Sequence, residues 1–381
     1  LNDPLRVGII GCGNITVNDH APTLRGLEGV RMTAIADPTE SRRQKTQALL
    51  GLPDSACFAN HQALLDVGVD YVVLAVPQKF RRPIVEDCAR AGVHVLSEKP
   101  IATVPADARA MSDVMRAANV RCGMIHNYLY YPEYKLARAL IASGAIGQLR
   151  HTTLNFLGVP DSPGAADYRP RWRHDPAEAG GGILMDMIHA VYVAEFLVAE
   201  PVRAVSAIVD NLDHSGEAVE DFTLVTYHFD SGYATVNMGW GEGPGGVEIG
   251  GTGGRMMIFY KDYGTGPFQP LESFTLVNRA GRKTYEPRTG WQPVDNFKQI
   301  HADFVEAIRT GRDPIAPAEA GLRALEAVLA AYASAATGRV IPLPLSADDP
   351  VYQRGVMGLC ELELWKAGPL VRRGVFGLTA T

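Results

Sequence analysis

The chain has 381 residues, 46% of them hydrophobic and 20% charged, with a formal net charge of −6. That length exceeds the roughly 250–300 residues that one hydrophobic core serves, so two domains are expected. The acidic balance leaves no electrostatic footprint for nucleic acid, no apolar run reaches the length of a membrane span, and the first residues show no cleavable-leader pattern, so neither nucleic acid nor membrane is an expected partner and the cytoplasm is the expected compartment.

Arg6-Val7-Gly8-Ile9-Ile10 reads as a short buried strand, and Gly11-Cys12-Gly13-Asn14-Ile15-Thr16 turns the chain into a helix. A second apolar strand, Met32 to Ala36, ends on Asp37. Turn glycines let backbone N–H groups approach a pyrophosphate at a helix start, where unpaired donors and the dipole favour negative charge. An acid about 20 positions onward, at the tip of the second strand, can accept from both ribose hydroxyls of an adenosine. Gly11, Gly13, Asn14, Ile15 and Asp37 are therefore the first dinucleotide-binding candidates, with NAD favoured because Asp37 repels a 2′-phosphate. Thr39, Ser41, Arg42 and Arg43 lie close enough to accommodate one, which keeps NADP open. Thr16 stands where the fingerprint has its third glycine and predicts looser helix–strand packing.

Strands and helices then alternate. Tyr71–Ala75 is an apolar run leading into Val76-Pro77, a helix is predicted over Pro83–Ala91, and His94–Ser97 is the next strand. A helix over Pro105–Ala118 and a strand over Arg121–Ile125 complete the series, which predicts a parallel sheet covered on both faces. Ligands of such sheets sit beyond the carboxyl ends of the strands, which adds Ala75, Val76, Pro77, Glu98 and Lys99 to the cofactor-binding candidates. After Ile125 the character changes. A helix over Pro132–Ser143 and a strand beginning near Gln148 precede alternating runs at Val202–Asp210, Phe222–Phe229, Tyr233–Trp240, Arg255–Tyr260 and Phe274–Asn278. Alternation with tight turns predicts an antiparallel sheet with one covered face, followed by helices at Asn296–Arg309 and Ala318–Thr337. Five cysteines, at positions 12, 57, 88, 122 and 360, form no CxxC pair and fit a reducing compartment.

Two places carry chemistry. Glu98-Lys99-Pro100 follows a strand directly, and an ammonium there can hydrogen-bond a substrate hydroxyl and stabilise the alkoxide formed as hydride leaves. The alternative is a surface lysine paired with Glu98. Further on, Gly180-Gly181-Gly182 leads into Ile183-Leu184-Met185-Asp186-Met187-Ile188-His189, predicted to be helical through Leu197. Three glycines let backbone come close to a ligand. Asp186 and His189, at i and i+3, are expected as neighbours on one helix face with Tyr192 one step beyond, and a carboxylate beside an imidazole favours the imidazolium. The alternative is a helix-start Asp that satisfies backbone donors and a buried structural His. Upstream, Tyr168-Arg169-Pro170-Arg171-Trp172-Arg173-His174-Asp175 can line a polyhydroxylated ligand or form a basic surface loop. No cluster has metal-ligand spacing, since His126, His151 and His174 are scattered, and no GxSxG, P-loop or HExxH motif is present.

These residues together resemble the Gfo/Idh/MocA family, named for glucose–fructose oxidoreductase, inositol 2-dehydrogenase and a rhizopine-catabolism protein. The likeness is carried by Val7–Asn14, Ala34-Ile35-Ala36-Asp37-Pro38, Ala75-Val76-Pro77 and Ala91–Pro100, and continues through Gly144-Ala145-Ile146-Gly147, Trp172-Arg173, Asp175-Pro176, Ala179–Gly182 and Glu220-Asp221. The resemblance implies an α/β protein with an N-terminal Rossmann-type parallel sheet (residues 1–125) and a C-terminal α+β domain on a largely antiparallel open sheet (126–345). Residues 346–381 form a tail that packs on the second domain or on a neighbouring subunit. It also implies an NAD(P)-dependent oxidoreductase acting on a sugar, cyclitol or related polyol, with Lys99, Asp186 and His189 around the oxidised carbon and His189 as acid/base. Tyr128, Tyr168, Trp172 and Arg173 join them as substrate-binding candidates. The open sheet face commonly forms the oligomer interface in that family, which implies a homodimer or homotetramer. A glycosidase using bound NAD and a cofactor-binding sensor without turnover are the other activities the resemblance admits. The family usually has three residues between the helix Asp and His; here there are two, so aligning His189 puts Met185 in the acid position, and aligning Asp186 puts Ala190 in the histidine's. Arg81 stands where a His near the nicotinamide is common, and Leu129 where an arginine is common.

Overall fold

The computed structural model describes residues 3–161, 171–213, 217–241, 243–261, 269–286 and 290–380, with nothing stated of the Arg171 side chain. The first sheet is built from β1 (Leu5–Ile10), β2 (Val30–Ala36), β3 (Cys57–Phe58), β4 (Tyr71–Leu74), β5 (His94–Ser97) and β6 (Cys122–Met124). All pairings are parallel, in the order β3-β2-β1-β4-β5-β6. The central strands are apolar on both faces: Val7 and Ile9 of β1 and all four residues of β4 have no solvent exposure. Both faces are covered because the crossovers run through α1 (Ala21–Arg25), α2 (Glu40–Leu50), α3 (His61–Asp66), α4 (Arg81–Arg90) and α5 (Pro105–Ala117). Strand order reverses between β1 and β4, and in sheets of this kind the ligand crevice lies beyond the carboxyl ends at that point, here next to Gly11 and Ala75. The helix after the glycine turn opens with a π-helical stretch, Thr16–His20, in which Thr16 Oγ1 donates to the Gly11 carbonyl at 2.6 Å. Thr16 thus satisfies its hydroxyl locally while buried at the start of the π-helical turn.

The chain passes through α6 (Pro132–Ala142) to the second sheet: β7 (Leu149–Val159), β8 (Ala204–Asp210), β9 (Phe222–His228), β10 (Tyr233–Trp240), β11 (Gly245–Gly251), β12 (Gly254–Tyr260), β13 (Leu271–Asn278), β14 (Gly281–Tyr285) and β15 (Ile341–Pro342). Its order is β14-β13-β12-β11-β7-β10-β9-β8-β15, antiparallel except where β7 and β10 run parallel. One face is covered. Leu154, Phe156, Val236, Met238, Val247 and Ile258 are fully buried on it. Between β7 and β8 lie α7 (Pro176–Ala179), α8 (Ile183–Asp186) and α9 (His189–Val198); after β14 come α10 (Val294–Thr310) and α11 (Ala318–Thr337). The helices α9 and α11 pack against this sheet. The opposite face carries Ile208, Leu224, Tyr233 and Phe259 exposed, with Ile208 and Leu224 cross-strand partners.

Two later segments return to the first sheet. Phe304 of α10 meets Tyr71 of β4 edge-on at 5.4 Å, and Met124 N donates to the Ala316 carbonyl at 2.7 Å just ahead of α11. The last residues, with α12 (Pro350–Arg354) and α13 (Pro369–Arg372), lie on α5, α11 and β8 of their own chain. Phe376 packs edge-on to Tyr332 at 4.9 Å, and Arg373 pairs with Asp210 at 3.0 Å. Among the described residues no single helix is long and apolar enough to cross a membrane.

Candidate active site

The crevice between β1 and β4 begins at Gly11, whose φ of 100° and closeness to the Ala75 carbonyl exclude a Cβ. Gly13 differs: no heavy atom lies within 4 Å of where its Cβ would sit, so the turn faces open space. Asp37 leans back on this turn. Its Oδ2 accepts from Cys12 N at 2.8 Å and its Oδ1 from Thr39 N at 2.8 Å, which fixes the carboxylate at the tip of β2 and leaves each oxygen a second lone pair. Arg42 is buried and donates to Asn14 Oδ1 at 3.2 Å, while Arg43 donates to the Asp37 carbonyl at 2.6 Å. Open space over a glycine turn, with an oriented acid at the neighbouring strand tip, fits a dinucleotide.

Across the crevice the loops after β4 and β5 are tied together by Arg81. Its buried guanidinium donates to the carbonyls of Val76 (2.9 Å), Glu98 and Pro100, and burial lowers its pKa to about 10. Arg81 is thus a strut beneath the Glu98-Lys99-Pro100 loop. Glu98 is buried too: Oε2 accepts from Lys99 N at 3.1 Å and Oε1 meets His20 Nε2 at 3.1 Å. Burial pushes this carboxyl up, but His20, Lys99 and Arg81 together hold it below its ordinary value. It is not the surface partner of a surface lysine. His20 continues to His301 Nε2 at 3.4 Å, so the glycine-turn helix, the Lys99 loop and α10 share one buried polar chain.

The Lys99 ammonium crosses to the other lobe. Nζ donates to the Asp186 carbonyl at 2.8 Å and lies 3.5 Å from Asp186 Oδ1, to which Arg173 also donates at 2.6 Å. Burial lowers the Lys99 pKa against the opposing pull of Asp186; Asp186, despite burial, is held below its ordinary value by Arg173 and Lys99. One ionised carboxylate therefore sits between two cations.

The space beside Gly181 and Gly182 is taken by protein rather than left for a ligand. A Cβ on Gly181 would collide with Tyr332 Oη, and one on Gly182 with the Glu220 carbonyl. Their space belongs to a buried brace: Glu220 Oε2 accepts from Gly182 N at 2.8 Å, and Oε1 accepts from Leu184 N at 2.9 Å and Tyr332 Oη at 2.7 Å. This carboxylate caps α8, and burial lifts its pKa to about 7.

The continuous helix expected through Leu197 is broken at Met187–Ile188, and the segments on either side are bent by 45°. Asp186 and His189 consequently do not share a face. Asp186 faces Lys99 and Arg173. His189 stacks on Tyr128 at 4.1 Å and meets Tyr192 Oη through Nδ1 at 2.5 Å. Burial, reinforced by the Lys99 charge, puts the His189 pKa well below the ordinary histidine value, so the imidazole is neutral rather than the imidazolium that a carboxylate neighbour would favour. The break absorbs the short Asp–His spacing, and Met185 and Ala190 are buried in the core instead of occupying either role.

Of the remaining candidates, Trp172 lies under the Arg173 guanidinium at 5.3 Å, Leu129 is core, and Tyr168 falls outside the described residues. Three residues that sequence reasoning left without a role stand here: His20, Asn127 and the brace acid Glu220. Only Glu220 had a signal in the sequence, since Glu220-Asp221 is among the segments that carry the family resemblance. No metal-binding group of His, Cys, Asp or Glu occurs among the described residues.

Comparison with known proteins agrees with this architecture. The family model described as "Oxidoreductase family, NAD-binding Rossmann fold" matches residues 5–126, and the "GFO/IDH/MocA C-terminal domain" model matches residues 134–257. The chain is 26% identical over 344 residues to D-xylose 1-dehydrogenase (NADP(+)) 2 of Haloferax volcanii, covering 88% of this chain and 99% of that protein. It is 25% identical over 332 residues to a dTDP-3,4-didehydro-2,6-dideoxy-alpha-D-glucose 3-reductase of Saccharopolyspora spinosa, covering 84% and 92%. Among solved structures, an aldose-aldose oxidoreductase from Caulobacter crescentus complexed with glycerol superposes with a TM-score of 0.78 at 26% identity, over 89% of this chain and 100% of that one.

Proposed function

The chain belongs to the Gfo/Idh/MocA family of NAD(P)-dependent oxidoreductases, and from that premise we propose that it moves hydride between nicotinamide and a secondary hydroxyl or ketone of a sugar, cyclitol or related polyol, with Lys99, His189 and Asp186 around the reacting carbon. The supporting observation is the meeting of lobes: a lysine at the end of β5 hydrogen-bonds Asp186 of α8 at 2.8 Å, and its charge acts on the His189 imidazole. The Gly11–Ile15 turn, Asp37 and the Ala75-Val76-Pro77 loop would hold the cofactor, which supplies the hydride acceptor when bound. Asp37 favours NAD over NADP, since a carboxylate pinned by two backbone amides stays at the strand tip and opposes a second negative charge there.

In the oxidative direction the Lys99 ammonium donates to the substrate oxygen and stabilises its growing negative charge. Neutral His189 takes the hydroxyl proton. Asp186 keeps Lys99 charged in spite of its burial, and Arg173 keeps Asp186 ionised. Trp172 offers a ring face to the substrate's C–H groups, whereas Tyr128 is buried and backs the His189 imidazole instead of reaching the substrate. We further read the exposed face around Ile208, Leu224 and Tyr233 as the interface of a homodimer or homotetramer working in the cytoplasm.

The test is NAD(P)H formation at 340 nm across a polyol and sugar panel. Lys99→Ala and His189→Ala are each expected to lower kcat about 100-fold or more, with cofactor affinity within about twofold of wild type. Near-full activity in both rejects the assignment. Substrate turnover without net NAD(P)H, from protein that carries co-purified nucleotide, would instead mark the glycosidase chemistry, and cofactor binding with no turnover a sensor.

A further inference from the structure

The hydrogen bonds around Tyr192 determine which nitrogen of His189 is free. A phenol oxygen has one proton to give and two lone pairs to receive. Three groups surround Tyr192 Oη: the Tyr128 backbone N at 3.3 Å, Asn127 Oδ1 at 3.3 Å and His189 Nδ1 at 2.5 Å. The Tyr128 amide can only donate, so it takes one lone pair. Asn127 Oδ1 can only accept, so it takes the single proton. What remains for His189 Nδ1 is the second lone pair, and it must donate. We infer that Tyr192 and Asn127 are positioning residues that hold neutral His189 in its Nδ1–H form and present a bare Nε2 to the substrate hydroxyl. Among the described residues Nε2 has no hydrogen-bond partner, so its lone pair is available as a proton acceptor.

The surroundings keep this arrangement intact. Tyr192 is buried, and its hydroxyl is held far above the ordinary tyrosine range, so it stays protonated. The ring is clamped by His126, stacked at 3.9 Å and 9°. The titratable groups facing His189 are Lys99, His126, Tyr128 and Tyr192. His126 is buried and stays neutral, its pKa lowered to about 3, and the two tyrosines are also neutral, which leaves Lys99 as the charge that opposes protonation. The side chain at i+3 on α9 thereby does for His189 what an adjacent carboxylate does elsewhere: it fixes tautomer and ring orientation, here without adding charge. Because the helix break removes Asp186 from His189, a neutral Tyr–Asn relay is the orienting device left to this site.

The inference rests on the reading of His189 as proton acceptor, and two independent readouts separate them. In 15N-histidine NMR of the full chain at pH 7, the signals lost in His189→Asn should be those of an Nδ1-protonated, Nε2-bare ring, and Tyr192→Phe should convert them to a mixture of tautomers. In kinetics, Tyr192→Phe should lower kcat about 10- to 100-fold at nearly constant KM. Asn127→Asp, which puts a negative charge behind the phenol, should restore much of kcat relative to Asn127→Leu and move the acid limb of the kcat profile upward by about one unit. A His189 ring carrying its proton on Nε2, as a flipped Asn127 amide would produce, overturns the inference; so does a Tyr192→Phe enzyme with wild-type kcat and pH profile. An Nδ1–H ring in an enzyme indifferent to His189→Ala would uphold the tautomer and reject only the catalytic role.

Discussion

Arg81→Met tests whether a buried cation, rather than the Lys99 loop's own sequence, holds the site's lysine in place. The guanidinium serves three carbonyls, those of Val76, Glu98 and Pro100. Hydrogen bonds from a charged donor contribute about 1.5–3 kcal/mol each, so their loss costs about 5–9 kcal/mol. Against this stands the relief of no longer burying a charge. The pKa of Arg81 falls from 12.5 to about 10, and at 1.36 kcal/mol per unit this is about 3 kcal/mol recovered. The hydrogen bonds win, and the variant should lose about 2–6 kcal/mol of stability. Met keeps most of the aliphatic stem's volume, so the loss is polar rather than a cavity effect. Arg81→Lys, with one donor centre in place of a fork, should fall between the two. Urea denaturation followed by tyrosine and tryptophan fluorescence gives the stability, and steady-state rates give kcat, which should drop about tenfold or more as Lys99 loses its fixed approach. A methionine variant within about 1 kcal/mol of wild type and with unchanged kcat would refute the strut, because the three carbonyls would then have another source of satisfaction.

Two glycine substitutions should behave oppositely. Gly13→Ala meets no atom within 4 Å, so thermal stability should hold while cofactor affinity falls about tenfold or more by fluorescence titration; Gly182→Ala drives a methyl into the Glu220 carbonyl and should cost about 2 kcal/mol or more even without cofactor. Glu220 gives a pH signature. Its folded pKa of about 7 is raised from 4.5, so the folded state binds more protons between these values; its contribution is complete below pH 4.5 and is lost, up to about 3 kcal/mol, as pH rises through 7. Urea midpoints measured from pH 5 to 8 should fall less steeply in Glu220→Gln than in wild type, although the Gln variant is less stable because its amide cannot accept from all three donors. Ile208→Lys with Leu224→Lys places two charges at a cross-strand pair on the open sheet face and should yield monomers by light scattering, with each lobe still folded.

Much of the fold was legible because its signals are local. Strands apolar on both faces, such as Tyr71–Leu74, announce a parallel sheet, and the regular alternation of Tyr233–Trp240 announces a sheet with one covered face. Elements without such a pattern were missed for definite reasons. The helix α2 buries only Arg42 and Thr46 and has no apolar stripe; β3 has two residues; β11 contains four glycines, poor strand formers held by neighbours on both sides; β14 is almost wholly exposed. The parallel pairing of β7 with β10 joins segments more than 70 residues apart, and no periodicity reports a partner.

The chain by itself determined the dinucleotide fold, the family and the short list of candidate side chains, since turn glycines, strand-end acids and a lysine after a strand are placed by backbone geometry that neighbouring residues dictate. Tertiary structure alone decided what those side chains touch. Gly13 opens to free space whereas Gly181 and Gly182 make room for Tyr332 and Glu220, a difference that depends on which distant atoms arrive above each glycine. Asp186 pairs with Lys99 while His189 turns to Tyr192, because the helix between them breaks at Met187–Ile188 with Met185 and Ala190 inside the core, and burial then keeps neutral an imidazole that a neighbouring carboxylate would have pushed toward the charged form.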